Sequence, residues 1–154
     1  MMRRGLLTGF IAALAALPAL RRVVAAEPET ARSGHRLALH IDQNDPAVMN
    51  MALGNAGNAA DYFAERGEKL ALELVAYGPG LHMLRADTSP VKARLSELHA
   101  KLPEMVFSGC NNTLQGMKRS EGKEIMLLPE ARVVPAGIVR LVELQEAGWS
   151  YVRP

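Results

Sequence analysis

Cysteine is almost absent from this 154-residue sequence, which contains a single one, Cys110. One cysteine cannot form a disulfide bond within the chain, and it excludes a cysteine-rich zinc site or a CxxC redox pair. The sequence also lacks G-x-G-x-x-G, a Walker A loop, H-E-x-x-H and G-x-S-x-G. Nucleotide binding, P-loop hydrolysis, the common zinc-peptidase chemistry and α/β-hydrolase chemistry therefore have no motif to support them.

An excess of charge of one sign is missing as well. Four of the 18 basic residues lie in the first 26 positions, which we expect to be removed; the other 14, with 16 acidic residues, give a net charge of −2. That balance lacks the basic footprint of a nucleic-acid-binding protein. Hydrophobic residues at 49% and charged residues at 22% are typical of a globular protein, and the length suits one domain.

The N-terminal segment is apolar but lacks the length of a membrane span. Its apolar run, residues 6–20, falls short of the roughly 20 residues that cross a bilayer. Basic residues precede this run and small residues follow it at 24–26, so we predict an export signal over residues 1–26, and its Arg3-Arg4 pair resembles a twin-arginine signal. The expected location is periplasmic or otherwise exported, without stable membrane insertion after signal removal. The alternative is an uncleaved anchor, because Arg21-Arg22 precede the cleavage site. Residues 27–35 are predicted to be a linker.

Short apolar runs alternate with helical patterns over residues 36–154. Strands are predicted at residues 36–42, 69–77, 105–107, 131–134 and 149–152. Helices are predicted from Pro46, capped by Asp45, to about 66; from 88–90 to 102; from 110 to about 119; and from about 135 to 148. This alternation predicts an α/β domain with a mostly parallel sheet covered by helices on both faces. Residues 125–128 are apolar but fit neither pattern.

Cys110 is predicted to lie where the third strand passes into a helix. Ser108-Gly109 are expected to break the strand, and the side chains of Asn111, Asn112 and Thr113 to accept hydrogen bonds from the first N–H groups of the helix. A thiolate at a helix N-terminus is stabilised, which lowers its pKa and makes it reactive. The alternative is a buried cysteine that acts as a small hydrophobe.

Two histidines and a Gly-Pro-Gly turn map to the same sheet edge as Cys110. His40 ends the first strand, and His82 follows the turn that contains Gly78 and Gly80. Each histidine either hydrogen-bonds a thiolate or is a structural histidine. The turn either directs backbone N–H groups towards an anion or only reverses the chain. The histidines show no metal-ligand spacing, so we expect no metal site and no cofactor.

Over residues 36–154 the chain resembles the DsrE/DsrF-like family, the sulfur-relay superfamily with a flavodoxin-like fold. The matching stretches are LHID leading to DP (residues 39–46), LVAYGPGL (74–81), SGCNNTL (108–114), and VVPAG through LQ to GW (133–149). The resemblance implies a single flavodoxin-like α/β domain with about five mostly parallel strands, which assembles into a homo-oligomer, a trimer or a hexamer. It also implies that Cys110 accepts sulfur as a persulfide and passes it on, so a sulfur donor or acceptor protein is an expected partner.

Two functional hypotheses follow from the sequence. In the first, Cys110 is a low-pKa thiolate that carries sulfur, and His40 and His82 line its pocket together with the turn and residues 111–113. In the second, the protein is a non-catalytic oligomeric module that binds a small ligand or a partner, with Cys110 structural or redox-sensing.

Overall fold

The computed structural model describes residues 34–154. The predicted export signal, residues 1–26, lies outside the described residues, as does the predicted linker except for its last two positions. The strands are β1 (His35–Ile41), β2 (Leu70–Ala76), β3 (Val106–Cys110), β4 (Ala131–Val134) and β5 (Ser150–Val152). The α-helices are α1 (Pro46–Ala64), α2 (Lys92–Lys101), α3 (Asn111–Glu121) and α4 (Gly137–Glu146), and a 3₁₀ helix spans Gly78–Leu84.

The five strands form one parallel sheet in the order β4-β3-β2-β1-β5. The predicted fold, a single flavodoxin-like α/β domain, is confirmed. Side chains alternate across the sheet, so each strand contributes to two cores. On one face, Leu39, Leu74 and Phe107 belong to a core with residues of α1 and α2. On the other face, Ala38 and Val75 pack against residues of α4. We call this second side the α4 face.

Helix α1 begins where the sequence predicted. The side chain of Asp45 accepts a hydrogen bond from the backbone N–H of Ala47 at 2.7 Å, and Pro46 occupies the first turn. Asp45 thus provides an acceptor for an N–H group that has no partner within the helix. Pro46 has no N–H of its own, and none is needed in the first turn. Within residues 34–154, no helix combines the length and the apolar character needed to cross a membrane.

The predicted strand break at Ser108-Gly109 is wrong, because β3 continues to Cys110. The hydroxyl group of Ser108 is fully buried but donates a hydrogen bond to Glu73 at 2.7 Å. At Gly109 an added Cβ would lie 2.7 Å from a methyl group of Leu127, so the missing side chain leaves room for that leucine. Residues that mark turns in a sequence therefore serve here as buried strand positions.

The turn predicted over residues 77–81 is the start of a longer element, the 3₁₀ helix. Its Leu81, Met83 and Leu84 are fully buried, which explains why the segment continues instead of exposing an apolar loop. The unassigned residues 125–128 run beside its end. Leu127 forms an antiparallel bridge with Arg85, and the N–H of Leu128 donates to the carbonyl of Leu84 at 2.8 Å.

Replacing Gly80 with alanine tests how closely the 3₁₀ helix approaches β1. An added Cβ would lie 2.6 Å from the carbonyl carbon of Ile41 and 2.8 Å from the backbone nitrogen of Asp42. Neither backbone atom can move aside without disturbing the sheet, so we expect Gly80→Ala to lower the free energy of unfolding by about 3 kcal/mol. Chemical denaturation measures this.

Gly116→Ala in α3 is the matched control, because no atom lies within 4 Å of its added Cβ. We expect the free energy of unfolding of this variant to rise by about 0.5–1 kcal/mol, since alanine is the better helix former. A Gly80→Ala protein as stable as the wild type would contradict the close packing of the 3₁₀ helix on β1.

Candidate active site around Cys110

Cys110 is the last residue of β3 and the N-cap of α3, as the sequence predicted for its position. Its thiol is free, and the residue is only 5% exposed. Val134 of β4 is its register partner, and Tyr77 continues β2 on its other side. The cysteine therefore lies between its neighbours at the carboxyl edge of the sheet, where ligands of parallel α/β sheets bind.

The N-terminus of α4 lies directly against Cys110 because its first residue is a glycine. A Cβ added to Gly137 would lie 3.3 Å from the Cβ of Cys110 and 2.8 Å from Cδ1 of Tyr77. Any side chain at this position would push α4 away from both residues. The glycine thus brings the backbone of a second helix N-terminus to the cysteine.

Hydrogen bonds outweigh burial in setting the pKa of Cys110. Burial alone raises the pKa of the thiol, because the charged form loses water. The hydroxyl group of Thr113 and the backbone N–H groups of Gly137, Thr113 and Asn112 lower it, and the resulting pKa lies below the ordinary value. These N–H groups belong to the first turns of α3 and α4. Two helix N-termini therefore converge on one sulfur atom and favour its thiolate form.

Thr113 is oriented by the turn that precedes the 3₁₀ helix. The N–H of Gly78 donates a hydrogen bond to Oγ1 of Thr113 at 2.9 Å. Because this bond occupies a lone pair of the oxygen, the hydroxyl proton remains free to donate to the sulfur of Cys110. Gly78 thus supports the cysteine through Thr113.

The predicted capping of α3 by the side chains of residues 111–113 is wrong. The amide oxygen of Asn111 accepts from Gln115 at 3.2 Å, and Asn112 contributes its backbone N–H to Cys110. The hydroxyl of Thr113 also lowers the pKa of Cys110. Among the described residues no side chain caps α3, and Asn112 and Thr113 instead stabilise the thiolate of Cys110.

Gly78 and Gly80 do not direct N–H groups at an open anion site in this structure. Gly78 donates to Thr113, as described above, and the N–H of Gly80 donates to the carbonyl of Tyr77 at 3.1 Å. The close contact of Gly80 with β1 accounts for the absence of its side chain.

The two predicted histidines lie in different surroundings. His40 is on the α4 face, 95% buried, with Nδ1 2.7 Å from the hydroxyl oxygen of Tyr151 and its ring stacked on Tyr77. Burial lowers its pKa; Asp42 raises it and Arg153 lowers it by smaller amounts, so the ring is neutral near pH 7. Tyr77, which stacks on His40 and contacts Gly137, connects this histidine with the Cys110 site.

Nδ1 of His82 is hydrogen-bonded to the hydroxyl of Thr88 at 2.7 Å, and among residues 34–154 no hydrogen bond links His82 to Cys110. The residues that sequence reasoning missed are Tyr77 and Gly137. The available signal was the position of each residue: Tyr77 directly follows a strand, and Gly137 is the first residue of a helix. Among residues 34–154, no three His, Cys, Asp or Glu side chains form a group that could hold a metal ion.

No protein-family model matches this chain, and neither does any curated protein. A solved structure does match: MTH1491 from Methanobacterium thermoautotrophicum, a protein of unknown function, is 32% identical, with a TM-score of 0.65. The match covers 78% of this chain and 99% of the MTH1491 chain. This chain belongs to the MTH1491 family. Because MTH1491 is itself a protein of unknown function, its family identifies the fold and leaves the reaction to be argued from the site.

Replacing Thr113 with valine tests the hydrogen bonds around Cys110 in this MTH1491-family protein. The variant loses the hydroxyl that stabilises the thiolate, so we expect the pKa of Cys110 to rise. Below that pKa, alkylation by iodoacetamide should slow by roughly tenfold, the effect of one charge-assisted hydrogen bond. The measurement is the alkylation rate as a function of pH.

Thr113→Ser is the control, since it keeps the hydroxyl and should keep the wild-type pH profile. Identical profiles for the wild type and Thr113→Val would show that this hydroxyl does not stabilise the thiolate.

Proposed function

We propose that this protein is a sulfur carrier that holds sulfur as a persulfide on Cys110. The observation that carries the proposal is the convergence of two helix N-termini and the Thr113 hydroxyl on one sulfur atom. A thiolate is the nucleophile in reactions with sulfur compounds, and these groups stabilise it. The proposal agrees with the DsrE/DsrF-like resemblance of the sequence.

The proposed reaction has two balanced steps. In the first, the thiolate of Cys110 attacks the outer sulfur of a donor such as thiosulfate. A bond forms between the two sulfurs, the bond to the sulfite group breaks, and sulfite leaves with its electron pair. In the second, an acceptor thiolate attacks the outer sulfur of the persulfide, and Cys110 leaves as a thiolate. No oxidant or reductant is consumed.

The surroundings of Cys110 favour a small donor. Cys110 is only 5% exposed, so a small reactant reaches its sulfur more easily than a large one. Inorganic sulfur anions such as thiosulfate and polysulfide are small, and their charge is attracted by the positive ends of α3 and α4. The acceptor in this proposal is a thiol of a small molecule or of a partner protein.

A second candidate function is a non-catalytic binding module in which Cys110 is structural or redox-sensing. Its support is the packing of Cys110 against Gly137, because a small buried side chain is what that contact requires. Under this alternative, Cys110 has no reaction with sulfur compounds.

We further propose that the protein acts as a homo-oligomer, a trimer or a hexamer. The supporting observation is a pair of exposed apolar side chains one turn apart on α4, Ile138 (58%) and Val142 (45%), although Leu141 and Leu144 of the same helix are buried. Light scattering tests this, and a monomer at micromolar concentration would contradict it.

Export to the periplasm or beyond is also a proposal, based on the sequence of residues 1–26. In an oxidising compartment a reactive unpaired cysteine is prone to oxidation. A sulfur atom bound to Cys110 as a persulfide would change how readily this cysteine is oxidised. Cell fractionation tests the location; recovery in the cytoplasm alone would contradict it.

Intact mass after exposure to thiosulfate or polysulfide tests the sulfur-carrier proposal. We expect the wild type to gain whole sulfur atoms of about 32 Da each, removable by a reductant. Cys110→Ser should gain none, since Cys110 is the only cysteine. Thr113→Val should load more slowly at neutral pH, because its thiolate is less populated.

Sulfur that still loads onto Cys110→Ser would rule out Cys110 as the carrier. A wild type that remains unmodified, with a thiol that reacts with iodoacetamide only after denaturation, would favour the binding module.

A further inference from the structure

Helix α4 covers only part of its face of the sheet. It packs on β1, β2, β3 and β5, and β4 is the edge strand beyond β3. Between α4 and β4 lies a pocket of about 380 Å³. This volume is at the small end of the range of about 300–1,000 Å³ for ligand pockets. The side chains that matter most here are Arg132, Val134, Pro135, Val139, Arg140 and Glu143.

The buried carboxylate of Glu73 holds the two arginines beside the pocket in position. Arg140 donates two parallel hydrogen bonds of 2.8 Å to Glu73, and Arg132 donates to the same carboxylate at 3.0 Å. Burial raises the pKa of Glu73, but hydrogen bonds from Arg140, Ser108 and Arg132 lower it by a larger amount. The net pKa lies below the ordinary value, so the carboxylate is ionised near pH 7. One carboxylate thus serves two guanidinium groups.

The two arginines differ in what remains free. Arg140 donates through its third nitrogen, Nη1, to Glu143 at 3.2 Å, so each of its three nitrogens already has a carboxylate partner. Arg132 donates through Nε to Ser108 and through Nη2 to Glu73, and its Nη1 has no partner among residues 34–154. Its side chain is about half exposed, at 49%. The outer edge of Arg132 is therefore a free, preoriented anion-binding group beside apolar walls.

We infer that the pocket between β4 and α4 binds a small organic anion, with a carboxylate or sulfonate group on Arg132 and an apolar body against Pro135 and Val139. A single uncommitted guanidinium edge matches one anionic group, and the small volume suits a short molecule. This site is separate from the cysteine and does not depend on sulfur transfer.

The pocket is nevertheless connected to Cys110 through the chain. Val134 pairs with Cys110 in the sheet, and Pro135 follows it towards Gly137, whose N–H lowers the pKa of the Cys110 thiol.

Titration of the protein with octanoate tests this inference. We expect saturable binding of one octanoate per chain by calorimetry, about fourfold tighter for each methylene group between hexanoate and octanoate. Arg132→Gln should weaken binding by at least about tenfold, the loss of a charge-assisted hydrogen bond. The neutral analogue octanamide should bind correspondingly weakly.

Arg94→Gln is the matched control. Arg94 is exposed on α2, so its substitution changes the net charge by the same amount but far from α4. Since Arg132 also contacts Glu73, Val139→Glu is a second test: it places a negative charge on a half-exposed wall residue without touching that network. Both Arg132→Gln and Val139→Glu should lose binding, while Arg94→Gln keeps it. No saturable binding by the wild type, or equal binding by all variants, would overturn the inference.

Discussion

The contact of Gly137 with Cys110 and Tyr77 is the constraint on which the candidate site depends. It allows the first turn of α4 to reach the sulfur while the first turn of α3 follows directly from it. Neither helix alone supplies all the backbone donors around Cys110. Their convergence makes the thiolate favourable in a position where burial alone would make it costly.

The uneven covering of the sheet explains where function is concentrated. Helices α1 and α2 close one face with a continuous apolar core, whereas among residues 34–154 α4 is the helix that packs on the face that carries Cys110. The same helix therefore forms one wall of the cysteine site and one wall of the pocket beside β4. Its position is held by apolar packing through Leu141 and Leu144 and by the ion pairs of Arg140 with Glu73.

Local signals in the sequence were sufficient for the fold and for the position of the cysteine. Asp45-Pro46 marked the start of α1, and Cys110 was correctly placed between a strand and a helix. These features depend on residues close together in the chain. The parallel sheet followed from the alternation of strands and helices in the same way.

Features that depend on distant residues were missed or misread. Ser108 looked like a strand breaker because its partner, Glu73, is 35 residues away. Thr113 looked like a helix cap, although the turn at Gly78 directs its hydroxyl to the thiol. The role of Gly137 follows from strand order, which places β4, and hence the start of α4, next to β3. Side-chain patterns along one element do not contain that information.

The most direct test of this account is the titration of the Cys110 thiolate in the wild-type protein. Thiolate absorbance in the ultraviolet, measured against Cys110→Ser as a blank, gives the fraction ionised at each pH. The account predicts a midpoint below about 8.5, the ordinary value for cysteine. A midpoint at or above that value would show that burial outweighs the two helix N-termini, and Cys110 would then be a structural residue.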